Sequence, residues 1–236
     1  MSALGRPRLH LRRAGSTNDR ARELALAGAP HGTLVTAGEQ TAGRGRQGRS
    51  WSAPAGSSLL MSLVLRFEPG AAFATLPLLA AVAVCDVVGP EFAIKWPNDV
   101  VRPRAGALAK LAGILVEGRP QQGWAVLGIG VNVAVRLEDL PIGLRPGAAT
   151  LGRDPAAIEP LLAALLAALA RRLGDETAGT LAAWRARDAL RGREIAWADG
   201  AGEATGIDDA GRLLVRLRDG SRVALAAGEV HLRTSI

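Results

Sequence analysis

The sequence has a single cysteine, no tyrosine, and only two lysines, Lys95 and Lys110, among its 29 lysines and arginines. One cysteine, Cys85, excludes an internal disulfide and favours a reducing compartment. The apolar runs at 71–85 and 161–170 are shorter than the roughly 18 residues that a membrane-spanning helix needs. The N-terminus also lacks the apolar segment of a secretory signal. We therefore expect a cytoplasmic protein with no membrane partner.

The net charge of +7 leaves nucleic-acid binding open as one class of function. The arginines are scattered along the chain and do not form one tract, which weakens that interpretation. In a chain this rich in arginine, we expect arginine at every position where a solvated positive charge is sufficient. The two remaining lysines are therefore candidates for positions that need a compact ammonium group.

Hydrophobic periodicity predicts an α+β chain. Helices are expected at 16–28, with Ser16 or Thr17 as the N-cap, and at 71–88, 156–173 and 181–190. Strands are expected at 33–40, 57–67, 92–101 with a break at Pro97, 110–119 and 123–133, and a loop at 134–151. From Gly192 onward, short apolar runs alternate with Asp-Gly and Ala-Gly pairs, a pattern typical of β-hairpins. This texture predicts a first domain at 1–189 and a small β-barrel at 190–236.

The stretch "TAGRGRQGRSW", residues 41–51, alternates glycines with arginines and closes on Trp51. Glycine frees the backbone to turn toward a ligand, and the arginine fork binds carboxylate or phosphate. The pattern predicts a lid over an anion, with a solvated basic loop as the equally open alternative. It is neither a P-loop nor a dinucleotide-binding fingerprint.

Three further stretches carry candidate site residues. "KWPNDV" places Lys95, Trp96, Asn98 and Asp99 at the end of a strand, where sheet enzymes often bind substrates. "KLAGILVE" places Lys110 at the start of a strand, and "GIGVNV" puts glycines beside Asn132, which leaves room for a planar ligand. None of the three histidines belongs to an evident Ser/His/Asp or Cys/His set.

In order along the chain, "STND", "EQTAGRGRQGRSW", "KWPNDV", "KLAGILVE" and "GIGVNV" resemble the biotin protein ligases. The resemblance covers residues 16–132 closely and the remainder more loosely. It implies a class II aminoacyl-tRNA synthetase-like catalytic domain, in which helices flank a mixed sheet, followed by an SH3-like barrel. It also implies synthesis of biotinoyl-5′-AMP from biotin and ATP with Mg²⁺, and transfer to a lysine of a biotin carboxyl carrier protein.

The resemblance also implies roles for individual residues. Arg46 and Lys110 are the expected catalytic residues. The expected biotin contacts are Ser16, Thr17, Asn18, Gln40, Gly43, Arg44, Gly45, Arg46, Lys110 and Gly113. The expected nucleotide contacts are Arg46, Arg49, Trp51, Lys95, Asn98 and Asn132, and Asp99 is the expected Mg²⁺ ligand.

Several alternatives stay open at this point. A lipoate or octanoyl ligase or transferase on the same fold is the nearest enzyme alternative, and a non-catalytic nucleic-acid-binding protein is the alternative of another class. Because only 15 residues precede Ser16, we expect no DNA-binding domain and no DNA partner. Pairing of two copies through an exposed sheet edge is a further expectation.

Overall fold

The computed structural model describes residues 4–69, 74–226, 228 and 230–233 of the chain. Within these residues, twelve strands and four α-helices are arranged around two sheets. None of the helices in this part of the chain is long and apolar enough to cross a membrane.

The first sheet has seven strands, in the spatial order β1-β2-β3-β7-β6-β5-β4. Their bounds are β1 Arg8–Leu11, β2 Leu34–Ala37, β3 Ser58–Arg66, β4 Ala93–Lys95, β5 Asp99–Arg104, β6 Ala107–Arg119 and β7 Trp124–Asn132. β1 pairs with β2 in parallel, and every other neighbouring pair is antiparallel. The predicted mixed sheet is confirmed. The sequence did not predict β1, which is a four-residue edge strand with alternating exposed positions.

Three helices pack against this sheet, α1 Thr17–Leu26, α2 Leu76–Val88 and α3 Ile158–Gly174, and α4 Thr177–Arg185 packs against α2. Ser16 occupies the N-cap position of α1, as expected, but its hydroxyl makes no capping hydrogen bond. Pro77 lies in the first turn of α2, where its missing N–H costs nothing. Residues 71–73 of the predicted second helix lie outside the described residues.

The predicted helix at 181–190 is misplaced: α4 begins at Thr177 and ends at Arg185. The residues that follow run beside β4 at the edge of the sheet. The Ile94 N–H donates to the Arg187 carbonyl at 2.7 Å, and the Ala189 N–H donates to the Ile94 carbonyl at 2.9 Å. Pairing with the edge strand replaces further helical hydrogen bonds, and it also covers that edge.

The main sheet has buried side chains on both faces, and eight of the nine positions of β3 are buried. On one face, Ala21 and Ala25 of α1 pack against Val35, Val64 and Val126. Residues of α2, α3 and α4 belong to the larger cluster, together with Leu63, Leu127 and Ile114 of the sheet. The sheet is therefore covered on both faces, and polar side chains within it, such as Ser62, are buried between the layers.

The second sheet is formed by β8 Glu194–Trp197, β9 Gly200–Ile207, β10 Leu213–Arg216, β11 Arg222–Leu225 and β12 His231–Leu232. Its order is β11-β10-β9-β8-β12, and all its pairs are antiparallel. The predicted antiparallel C-terminal sheet is confirmed, while its closure into a barrel and the boundary after residue 189 stay predictions. The Trp96 indole N–H donates to the Gly211 carbonyl at 3.0 Å and ties this sheet to the first one.

Candidate active site

A cavity of about 250 Å³ lies against β3, β6 and β7. Its other walls are the start of α1, the arginine loop and residues 140–148. Most of the predicted site residues line it: Ser16, Thr17, Asn18, Gln40, Arg44, Gly45, Arg46, Arg49, Trp51, Asn98, Lys110, Gly113 and Asn132. Segments that are far apart in the sequence therefore line a single cavity.

One side of the cavity, which we call the neutral side, is lined by Thr17, Asn18 and Gln40 and supported by Ser62, which does not itself line the cavity. The Gln40 side-chain oxygen accepts hydrogen bonds from the backbone N–H and the hydroxyl of Thr17, at 2.7 and 2.9 Å. The hydroxyl of Ser62, which is fully buried on β3, lies 2.9 Å from Thr17 Oγ1 and 2.7 Å from Asn18 Oδ1. Buried polar groups that are already hydrogen-bonded keep one orientation, so this side is preformed.

The space for Asn18 is provided by a glycine in β7. A Cβ built on Gly128 would lie 1.9 Å from Asn18 Oδ1 and 2.8 Å from its Cγ. Since Asn18 is only 4% exposed, it has little room to move away. Any larger residue at position 128 would therefore displace the amide.

The arginine loop, residues 41–51, forms a hairpin with hydrogen bonds between its two arms. The Trp51 N–H donates to the Gly43 carbonyl at 2.8 Å, and the Gly45 N–H donates to the Arg49 carbonyl at 2.7 Å. Gln47, at φ 55°, and Gly48, at φ 74°, form the left-handed tip. Gly43 lies outside the cavity lining because it packs against the Trp51 backbone, which leaves no space for a Cβ.

Trp51 fills the space above the second glycine of "GIGVNV". A Cβ on Gly130 would lie 2.7 Å from the indole Cε2, and a Cβ on Gly113 would lie 3.2 Å from its Cζ3. The room that the sequence indicated for a planar ligand is thus taken by a side chain of the protein. The indole N–H is buried and has no hydrogen-bond partner among the described residues.

The opposite side, which we call the charged side, is lined by Arg46, Asn98 and Lys110, and Asp99 pairs with Lys110 from beside the cavity. Lys110 Nζ lies 2.7 Å from Asp99 Oδ1 and 5.7 Å from the centre of the Trp51 ring. Arg46 donates to Asn98 Oδ1 at 3.3 Å, while Asn98 donates to the Ile114 carbonyl at 2.8 Å. Asn98 therefore connects the arginine hairpin to β6.

Lys110 lies inside β6 and not at its start as predicted. The pairing of β5 with β6 shifts register between Val100 and Val101, so that Val101 lies opposite Lys110 and Val100 opposite Ala112. This irregularity sets which side chains of the strand share a face. Asp99, the first residue of β5, is thereby placed next to the ammonium group.

Asn132 fastens the segment that follows β7. Its side-chain nitrogen donates to the Ala149 carbonyl at 2.9 Å, and Ala149 in turn donates to the Lys110 carbonyl at 2.7 Å. Arg145 donates to the Leu140 and Glu138 carbonyls. The predicted loop at 134–151 therefore has an ordered path along one wall of the cavity, with two short 3₁₀ turns.

Comparison with known proteins identifies the family. The family model described as "Biotin/lipoate A/B protein ligase family" matches residues 11–133, and the one described as "Biotin protein ligase C terminal domain" matches residues 199–233. The chain belongs to the biotin/lipoate A/B protein ligase family.

The matches between this ligase chain and its relatives cover different shares of the chain. The biotin–[acetyl-CoA-carboxylase] ligase of Paracoccus denitrificans is 38% identical over 92% of this chain and 97% of its own length. The ligase of the same name from Mycobacterium tuberculosis is 36% identical over 93% and 86%. The bifunctional ligase/repressor BirA of Bacillus subtilis is 40% identical over 58% of this chain, a match that spans less than half (44%) of that relative.

A solved structure has the same architecture. The biotin protein ligase of Aquifex aeolicus in complex with biotin and ATP superimposes with a TM-score of 0.81 at 26% identity, and the match covers 98% of this chain and all of that one. The biotin ligase fold predicted from the motifs is therefore confirmed, with the synthetase-like subclass left as a prediction.

Besides Gly43, two predicted site residues lie beside the cavity of the ligase without lining it. Lys95 is the last residue of β4 and pairs in register with Asp99. Asp99 reaches the site through Lys110. Their roles toward nucleotide and Mg²⁺ stay predictions, and the described residues contain no cluster of three or more histidines, cysteines or carboxylates that could hold a metal.

The sequence analysis did not single out three residues at or beside the cavity of the ligase. Ser62 in the apolar strand β3 and Glu117 at the end of "KLAGILVE" contact Asn18 without lining the cavity, and Gly128, the first glycine of "GIGVNV", lines it. The signal for the first two was a polar residue in an otherwise apolar run, which indicates a buried polar contact. Without distances, that signal does not say which partner the residue meets.

Proposed function

We propose that this chain condenses biotin with ATP to form biotinoyl-5′-AMP, and then transfers the biotinoyl group to a lysine of a biotin carboxyl carrier domain. The observation that carries the proposal is a single cavity that joins a preformed neutral side to a charged side. Relatives that cover nearly the whole chain and are named biotin–[acetyl-CoA-carboxylase] ligases support it.

The neutral side suits the ureido ring of biotin, which has one carbonyl acceptor and two N–H donors. Because the Gln40 oxygen is engaged by Thr17, its amide NH₂ is the group left for the ligand. The Ser16 hydroxyl, free of capping, lies in the same wall. Neutral polar groups that are already oriented lose little entropy when such a ligand binds.

The charged side suits the first chemical step. An oxygen of the biotin carboxylate attacks the α-phosphorus of ATP, the bond to the β-phosphate oxygen breaks, and pyrophosphate leaves. Both reactants are anions, so Lys110 and Arg46 would lower their repulsion and stabilise charge on the α-phosphate. Mg²⁺ would enter the site bound to ATP. Because Asp99 is a single nearby carboxylate, the site suits a Mg²⁺ ion that is held mainly by the triphosphate better than one held by several protein ligands.

The second step needs no protein nucleophile. The neutral amine of the carrier lysine attacks the acyl carbon of the adenylate, and AMP leaves with the electron pair of the broken mixed-anhydride bond. The adenylate would be hydrolysed in open water, so the arginine hairpin and the segment at 134–149 would protect it by excluding solvent. Pairing of two copies through an exposed sheet edge stays a prediction.

Exchange of labelled pyrophosphate into ATP tests the proposal and separates it from the lipoate alternative. We expect exchange with biotin and MgATP, and none above background with lipoate or octanoate. Exchange that depends on lipoate and not on biotin would replace the proposed substrate. Salt-sensitive DNA or RNA binding without exchange would instead favour the nucleic-acid-binding alternative.

A further inference from the structure

Arg44, the first arginine of the hairpin, is paired with two carboxylates. Its Nη2 lies 2.7 Å from Asp19 Oδ1 and 2.9 Å from Glu117 Oε2, and Asp19 Oδ1 is shared with Arg22. Both oxygens of Glu117 accept from Arg44. These contacts tie the base of the hairpin, where the Arg44 backbone also pairs with Ser50, to α1 and β6.

Glu117 has a second contact, with a residue of the neutral side. Its Oε2 accepts a hydrogen bond from Asn18 Nδ2 at 2.8 Å. An ionised carboxylate can only accept, so the amide nitrogen of Asn18 must face Glu117. The amide oxygen then faces the Ser62 hydroxyl, at 2.7 Å. One carboxylate thereby decides which end of a buried amide donates and which accepts.

We propose that Glu117 is a positioning residue that sets the selectivity for the ureido group by fixing the Asn18 amide. This inference rests on the proposed function. Glu117 does not line the cavity, whereas Asn18 does. With its nitrogen toward Glu117, Asn18 keeps one N–H and one oxygen lone pair for the ligand. A ureido group can use both, because it accepts at its carbonyl and donates at its nitrogens.

The first test compares Glu117→Gln with the parent by calorimetry and steady-state kinetics. Glutamine has the same shape, but its amide can present a donor to Asn18 and so permits the flipped orientation. We expect the Kd and KM for biotin to rise about tenfold, the effect of one misplaced buried hydrogen bond, with the KM for ATP within about twofold. Equal rises in both KM values, or an unchanged biotin Kd in a parent that binds biotin, would overturn the inference.

A double-mutant cycle separates positioning from general destabilisation. If Glu117 acts through Asn18, then Glu117→Gln should weaken biotin binding by no more than about threefold in an Asn18→Ala background. Full additivity of the two effects would overturn the inference. Asp19→Asn removes a carboxylate from Arg44 without touching Asn18, and we expect less than a threefold effect on biotin. A loss as large as that of Glu117→Gln would assign the effect to Arg44.

Glu159→Gln is the matched control, because Glu159 also forms a two-pronged pair with an arginine, Arg8, and lines no part of the cavity. We expect no change in the biotin Kd for this variant, and a loss equal to that of Glu117→Gln would overturn the inference. Thermal melting of all variants checks that each is folded. If the parent itself binds no biotin, the proposed function fails, which differs from a parent that binds and a Glu117 variant that binds equally well.

Discussion

The two sides of the cavity are built on different principles. On the neutral side, Thr17, Asn18 and Ser62 are 4, 4 and 0% exposed, and hydrogen bonds within the protein orient them. On the charged side, the Lys110 side chain is 35% exposed, and its ammonium group pairs with a single carboxylate. A preformed neutral surface recognises one shape, whereas exposed ion pairs can exchange partners when anions arrive.

In the proposed function, this difference separates the two substrates. Biotin would meet a surface whose donors and acceptors are fixed by contacts between α1, β3 and β6. The nucleotide would meet cations that must leave or share their present partners. We therefore expect substitutions on the neutral side to change affinity for biotin, and substitutions on the charged side to change the rate of adenylation or retention of its product.

The largest expected effect is on the charged side. Lys110→Gln should lower the rate of adenylate formation by about 100- to 1,000-fold, the usual cost of losing one group that stabilises transition-state charge. Its effect on the biotin Kd should be smaller than that on the rate. Single-turnover quench measurements would show this, and a rate within about threefold of the parent would contradict the catalytic role of Lys110.

Gly128→Ala should disrupt the arrangement of buried polar groups on the neutral side. The new Cβ would approach Asn18 Oδ1 to 1.9 Å, and displacing that buried amide should weaken biotin binding about 100-fold. Calorimetry with biotin alone measures this directly. Unchanged affinity in a folded variant would mean that Asn18 is not fixed as the structure shows.

Arg46→Gly should affect the retention of the biotinoyl-adenylate intermediate more than the rate at which that intermediate forms. The hairpin loses its contact with Asn98, which lies 3.3 Å from Arg46 Nη1. Without carrier, free biotinoyl-adenylate should appear in solution about tenfold faster than with the parent, because one charge-assisted contact is lost. Chromatography of the reaction mixture measures the release, and equal release would reject a retaining role for the hairpin.

Gly130→Ala has the smallest expected effect. It makes the same substitution as Gly128→Ala, but next to Trp51 and not next to Asn18. Its Cβ would meet the Trp51 ring at 2.7 Å, but that partly exposed side chain has room to shift. We expect about a threefold rise in the KM for ATP, a changed indole fluorescence, and little effect on biotin. If biotin affinity fell as far as in Gly128→Ala, the division of the cavity into two sides would be wrong.

Local patterns predicted most of the elements. Periodicity and turn residues are properties of neighbouring residues, so α1, α3, β3, β6 and β7 were identified from the sequence. The end of α4 was missed because the residues after Arg185 pair with β4, which is about 90 positions away in the chain. β1 was missed because four residues with two exposed side chains carry almost no pattern.

Motifs predicted which residues line the cavity but not what they contact. Arg44 was predicted to contact biotin, and the motif did not indicate that it also pairs with Asp19 and Glu117. The contact of Glu117 with Asn18 joins residues 99 positions apart. Chemical type is visible in the sequence, whereas pairing across the sheet depends on register and packing.

The most direct test of the account is the mass of a carrier domain. The ligase is incubated with biotin, MgATP and a biotin carboxyl carrier domain, and the carrier is then analysed by intact mass spectrometry. The account predicts a gain of one biotinoyl group, lost when ATP or the acceptor lysine is removed. A carrier of unchanged mass, in a reaction where a known biotin ligase modifies the same carrier, would contradict it.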